Sequence, residues 1–163
     1  MLVKAATEND CIALTQLLHR GADINAYSQK LPDKYAHKHY PDYSDVQVNV
    51  TPLIAALICE HELAMQLLLE RGADPDAFDS DEYIFCALAI AASGFGATFK
   101  DNSAVKLLLK HGAAVHGNDC LYLACKSGQV EAVELFVRAG CDMRARMYVS
   151  DAPGHSGLTS PGR

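Results

Sequence analysis

The chain has 163 residues, half of them hydrophobic and 21% charged, a balance that supports one folded domain with its own core and excludes a disordered tract. Its formal net charge of −6 argues against nucleic-acid binding, which rests on Lys and Arg against phosphates. The longest uncharged apolar runs, 53–59 and 84–92, fall well short of the ~18–20 residues of a membrane span, so no membrane partner is expected.

Residues 1–8 lack a basic region followed by an apolar stretch, so no secretory leader is expected. Six cysteines are scattered through apolar segments without a CxxC pair. Without a leader they read as reduced, buried thiols in a cytoplasmic or nuclear protein. The first predicted helix carries Leu2-Val3-Lys4-Ala5-Ala6. The second carries Leu14, Leu17 and Leu18 at the i, i+3, i+4 spacing of an amphipathic helix. Gly21 ends it, because a helix terminus favours a left-handed residue. Asp23-Ile24-Asn25-Ala26 follows.

Residues 27–50 interrupt this pattern. Tyr27, Tyr35, Tyr40 and Tyr43 are four of the seven tyrosines, interleaved with Lys34, His37, Lys38 and His39. Tyrosine offers large amphipathic contact area, so the insert reads as a binding loop or as a solvated loop pinned by its own rings. His37 and His39 alternate as two metal ligands on a strand would, yet no third ligand has diagnostic spacing, and no metal is expected.

A second unit opens at Thr51-Pro52-Leu53-Ile54-Ala55-Ala56, continues with Met65, Leu68 and Leu69, and ends at Gly72. Asp74, Asp76, Asp79, Asp81 and Glu82 follow as an acidic stretch, without the glycine and distal glutamate of a calcium loop. The third unit runs from Ala87-Leu88-Ala89-Ile90-Ala91-Ala92 through Val105, Leu108 and Leu109 to Gly112. Its turn is lengthened around Gly94-Phe95-Gly96, which lacks the third glycine of a dinucleotide loop. The fourth contains Leu121-Tyr122-Leu123-Ala124-Cys125, then Val133, Phe136 and Val137, and ends at Gly140. Gly154-His155-Ser156-Gly157 in the tail is no nucleophile elbow. No other spacing points to catalysis.

Four copies of two linked motifs, of the form Leu68-Leu69-Glu70-Arg71-Gly72-Ala73-Asp74 preceded by Thr51-Pro52-Leu53, resemble the ankyrin repeat. The resemblance covers about residues 2–145 and implies an all-α solenoid of stacked helix-turn-helix units with irregular hairpin loops. The repeats are expected at about 1–26, 51–77, 86–117 and 119–145, within a domain of residues 1–145. The insert is 27–50, and 146–163 is a flexible tail or the remnant of another repeat. Gly21 and Gly72 lie 51 residues apart, Gly72 and Gly112 40, and Gly112 and Gly140 28. Against a unit of about 33, the first gap is roughly 18 too long, the second roughly 7 too long and the third roughly 5 too short. The family histidine of the first motif is replaced by Val3, Ile54, Ala89 and Tyr122. A less regular and less stable stack is expected. Asn9 and Glu60 stand where the glycine between the helices is kept only as Gly128.

The resemblance further implies a monomeric, non-catalytic protein-interaction module or scaffold. Its partner would be another protein, held along the concave hairpin and first-helix face. Aligned by motif, that face includes Thr7, Glu8, Ile58, Cys59, Asp81, Glu82, Tyr83, Lys126 and Ser127. Tyr35, Tyr40 and Tyr43 with His37 and His39 would flank it. Neither cofactor nor catalytic residue is expected. The rival reading is a small-molecule binder or enzyme in which the 27–50 and 93–102 insertions roof a pocket. There Tyr35, Tyr40, His37 and His39 would be acid–base groups, and Phe95 and Phe99 walls.

Overall fold

The computed structural model describes residues 1–28, 50–77, 86–93, 102–115 and 119–141. Within them lie eight helices in four consecutive pairs and no strand, with an isolated antiparallel bridge between Ser28 and Val50. Unit 1 pairs α1 (Leu2–Thr7) with α2 (Cys11–His19), and unit 2 pairs α3 (Pro52–Ile58) with α4 (Glu62–Glu70). Unit 3 pairs α5 (Ala87–Ala92) with α6 (Ser103–Lys110), and unit 4 pairs α7 (Asp119–Lys126) with α8 (Val130–Arg138). The two members of each pair pack together. Helices α1, α3, α5 and α7 then stack in one row, and α2, α4 and α6 in a second. The all-α solenoid read from the sequence is the architecture found.

Local chemistry sets the ends of these short helices. Thr51 accepts the Ile54 N–H at 3.3 Å and Pro52 occupies the first turn of α3, where its missing N–H costs nothing. Asp10 caps α2 by accepting from Ala13 N at 2.8 Å. Each second helix closes in the same way: Ala22 N donates to Leu17 O, Ala73 N to Leu68 O, Ala113 N to Leu108 O, and Cys141 N to Phe136 O, at 3.0–3.1 Å. That closure needs the residue before it in the left-handed region, and Gly21, Gly72, Gly112 and Gly140 supply φ of 81–90°. The turn between the helices repeats the device at Asn9, Glu60 and Gly128, with φ of 55°, 62° and 69°. In unit 3 the described residue with positive φ ahead of the second helix is Asn102, directly before α6.

The core is one continuous cluster from Leu2 to Phe136. Alanines of the first helices, including Ala5, Ala6, Ala55, Ala56, Ala87, Ala89 and Ala124, are buried and let neighbouring helices approach closely. Leu14, Met65, Leu68, Val105, Leu108 and Phe136 fill the space between the rows. Full burial of each such side chain contributes about 1.5–3 kcal/mol. The predicted apolar stripes are most deeply buried in unit 2, where Met65, Leu68 and Leu69 are all inside. Leu17, Leu18 and Val133 at the two ends are partly covered, and Val137 is 42% exposed.

Polar bonds join successive units in place of the family histidine. Asn25 Oδ1 accepts from Asp74 N at 2.9 Å, and Asp76 Oδ1 accepts from Ala114 N at 2.8 Å, one unit further on. Within each hairpin Asp23 and Asp74 also accept the N–H two residues ahead. Ala114 stands at that position in unit 3 and has no acceptor to offer. On the opposite edge His61 Nε2 lies 3.1 Å from Thr7 O. A carbonyl only accepts, so the imidazole carries its proton on Nε2. Ser127 donates to Ser93 O. Helix α6 is tied to α8 by Lys106 Nζ–Glu131 Oε1 at 2.8 Å and by Asn102 Nδ2 to Glu131 Oε2 at 3.2 Å.

Candidate functional site

The exposed side of the first-helix row can be followed in register from unit to unit. The bonds closing the inter-helix turns, Asp10 N to Ala5 O, His61 N to Ala56 O and Gln129 N to Ala124 O, occupy equivalent places. They align Lys4, Thr7 and Glu8 with Ala55, Ile58 and Cys59 in unit 2, and with Leu123, Lys126 and Ser127 in unit 4. Such a set, spaced i, i+3, i+4, forms one stripe on a helix.

The stripe is open at its ends and closed in its middle. Lys4 and Glu8 are exposed and approach each other to 3.9 Å across one helical turn. A solvated pair of this kind contributes only about 0.3–0.5 kcal/mol, so both charges remain available to an outside group. At the other end Lys126 and Ser127 are exposed, and Lys126 Nζ lies 5.8 Å from the centre of the Tyr122 ring. Between them, Ala55, Ile58 and Cys59 of unit 2 and Ile90 of unit 3 are buried. The expected open face is thereby corrected at three residues. Ile58 is 1% exposed and belongs to the core, Cys59 is buried beside it, and Thr7 is buried with its hydroxyl donating to Lys4 O at 2.8 Å. An apolar residue on a helix flanked by α1, α5 and α4 lowers its free energy by joining the core.

Of the residues named from sequence, Glu8 and Lys126 are therefore surface groups at opposite ends of the row, while Ile58 is not. Tyr35, His37, His39, Tyr40 and Tyr43 lie outside the described residues, as do Asp81, Glu82, Tyr83, Phe95 and Phe99. The base of the insert is described: Ser28 N donates to Val50 O at 3.1 Å and Val50 N to Ser28 O at 3.3 Å. The chain thus leaves and returns at one point, immediately before α3. At the second hairpin Ala87 N donates to Ala77 O at 3.0 Å.

Two exposed groups escaped the sequence reading. Lys4 was legible as the i−4 partner of Glu8. Tyr122, 43% exposed, replaces the family histidine, and nothing in its local sequence marks it as surface. The six cysteines form no disulfide. Cys59, Cys86 and Cys120 are buried as expected, whereas Cys125 is exposed. Among the described residues no helix is long and apolar enough to cross a membrane, and no three His, Cys, Asp or Glu side chains gather as metal ligands.

Helix pairs stacked in two rows, each closed by a left-handed glycine, with units 1, 2 and 3 bonded in succession through their hairpins, define a helical repeat solenoid. Residues 49–80 and 116–148 each match the family model of the ankyrin repeat. These spans contain units 2 and 4, and units 1 and 3 repeat their helix pairs and closures. The chain belongs to the ankyrin-repeat family. No curated protein matches it. Ankyrin repeats are in general protein–protein interaction modules and typically not enzymes.

Proposed function

We propose that this chain is a non-catalytic adaptor that holds one partner protein along its first-helix row and the Tyr-rich insert. The observation that carries the reading is the distribution of polarity along the stripe. Charge is exposed at Lys4 and Glu8 and again at Lys126, and the apolar middle is closed. A surface with separated charged ends and no exposed apolar centre favours electrostatic and hydrogen-bonded contacts with a folded protein. The additional apolar area comes from Tyr35, Tyr40 and Tyr43, with His37 and His39 beside them. Both ends of that insert are fastened at Ser28 and Val50, which lowers the entropy lost when it engages a partner. The reading also assigns partner contacts to Asp81, Glu82 and Tyr83, and the two carboxylates suit a basic patch on the partner. The chain acts as a monomer in the cytoplasm or nucleus, and its net charge of −6 keeps nucleic acid off this surface.

Quantitative affinity capture tests the proposal with three baits: wild type, a chain with residues 29–49 replaced by a short Gly-Ser turn, and a Glu8→Lys/Lys126→Glu double variant. The expected result is one set of proteins held by wild type and lost, about tenfold or more, from both variants. Equal capture by all three baits would refute the assignment.

A further inference from the structure

We propose that Cys86 and Cys120 form a reversible disulfide that clamps unit 3 to unit 4 when the protein meets hydrogen peroxide. The two sulfurs lie 3.7 Å apart although 34 residues separate them in sequence. Cys86 is the cap residue immediately before α5, and Cys120 is in the first turn of α7. Helices α5 and α7 pack directly on each other, so backbone on both sides holds the thiols face to face. Bonding requires the sulfurs to close from 3.7 Å to about 2.05 Å. The other four cysteines are distributed over α2, the end of α3, α7 and the end of α8.

The chemistry balances with peroxide as the sole oxidant. One sulfur, having lost its proton, attacks a peroxide oxygen, the O–O bond breaks, and the departing hydroxide takes that proton as water. The sulfenic acid so formed is attacked by the second sulfur, the S–O bond breaks, and a second water leaves as the S–S bond forms. Two thiols and one peroxide become one disulfide and two waters. Burial shapes the selectivity: Cys86 is 4% exposed and Cys120 0%, which admits a small oxidant on brief opening and slows bulky disulfide reagents. A resolving thiol at contact distance also intercepts the sulfenic acid before further oxidation. The clamp falls between the two units whose hairpin lacks an aspartate, at Ala114. It encloses α5 and α6 in a covalent loop and removes freedom from the unfolded chain.

The test uses the full chain with Cys125→Ser, which removes the exposed thiol that shares a tryptic peptide with Cys120. After peroxide and alkylation, tryptic mass spectrometry should find peptide 72–100 linked to peptide 111–126, and dithiothreitol should release it. The thermal midpoint should rise by at least about 5 °C and fall back on reduction. Cys120→Ala and, separately, Cys86→Ser in that background should keep the reduced-state circular dichroism and lose both link and shift. Oxidation of Cys11 or Cys141 with no 86–120 link in the folded chain would overturn the proposal, as would a link that lowers the midpoint.

Discussion

Units 2 and 4 match the same family model and close their helices with the same hydrogen bonds, yet they bury different fractions of equivalent side chains. Ile54, Leu57 and Leu69 of unit 2 are almost fully buried. Their counterparts in unit 4 are Tyr122, Cys125 and Val137, and all three are exposed. The helices are alike in length and ending, so the difference comes from what stands beside them. Unit 2 has α1 and α2 on one side and α5 and α6 on the other. Unit 4 has described neighbours on one side only. Burial in a repeat stack is a property of the joints between units, and the stability of each joint adds to a chain of nearest-neighbour terms.

Core truncation tests this comparison with the largest effect. Leu68→Ala in unit 2 should cost about 2–5 kcal/mol, and Phe136→Ala in unit 4 about 3–5 kcal/mol. The consequences should spread differently. Hydrogen exchange should show lost protection on both sides of unit 2 in the first variant, and loss confined to α7 and α8 in the second. Identical global loss in both would mean that the stack melts as one unit.

A smaller effect sharpens the contrast between joints. Asp76→Ala leaves the Ala114 N–H without its acceptor and should lower stability by about 1–2 kcal/mol in a urea titration. Ala114→Asp should restore the local brace made by Asp23 and Asp74, for a gain of a few tenths of a kcal/mol. No change from either substitution would reduce the ladder to geometry without energy.

The smallest expected effect lies in the inter-helix turns. Asn9→Gly should stabilise unit 1 by about 0.5–1 kcal/mol, because it relieves a left-handed φ of 55° and removes a buried oxygen, Oδ1, that has no partner. Gly128→Asn in unit 4 should shift the urea midpoint in the opposite direction. A gain in the latter would show that backbone strain does not decide these turns.

Much of the architecture was legible because it is written locally. Gly21, Gly72, Gly112 and Gly140 mark helix ends through a backbone requirement that acts within six residues. The Leu and Val stripes mark the second helices through their spacing. Asn9 and Glu60 were already aligned with Gly128, and the structure gives all three positive φ. The candidate surface was less legible. Motif alignment placed Ile58 on the open face, but Ile58 lies in the core, since alignment assigns a position and not the neighbours that cover it. The same alignment named Glu8 and Lys126, which are exposed because charge is costly to bury. Tyr122 was passed over because an apolar ring at a stacking position looks like core until the next unit is known.

By itself the sequence determined the repeat and its helix ends, because each depends on bonds within a few residues of its cause. Tertiary structure alone decided which apolar side chains are covered, that Asp76 reaches Ala114, that His61 reaches Thr7, and that Cys86 meets Cys120. Those pairings cross 34 to 54 residues and exist only once the stacking of neighbouring units has brought their surfaces together.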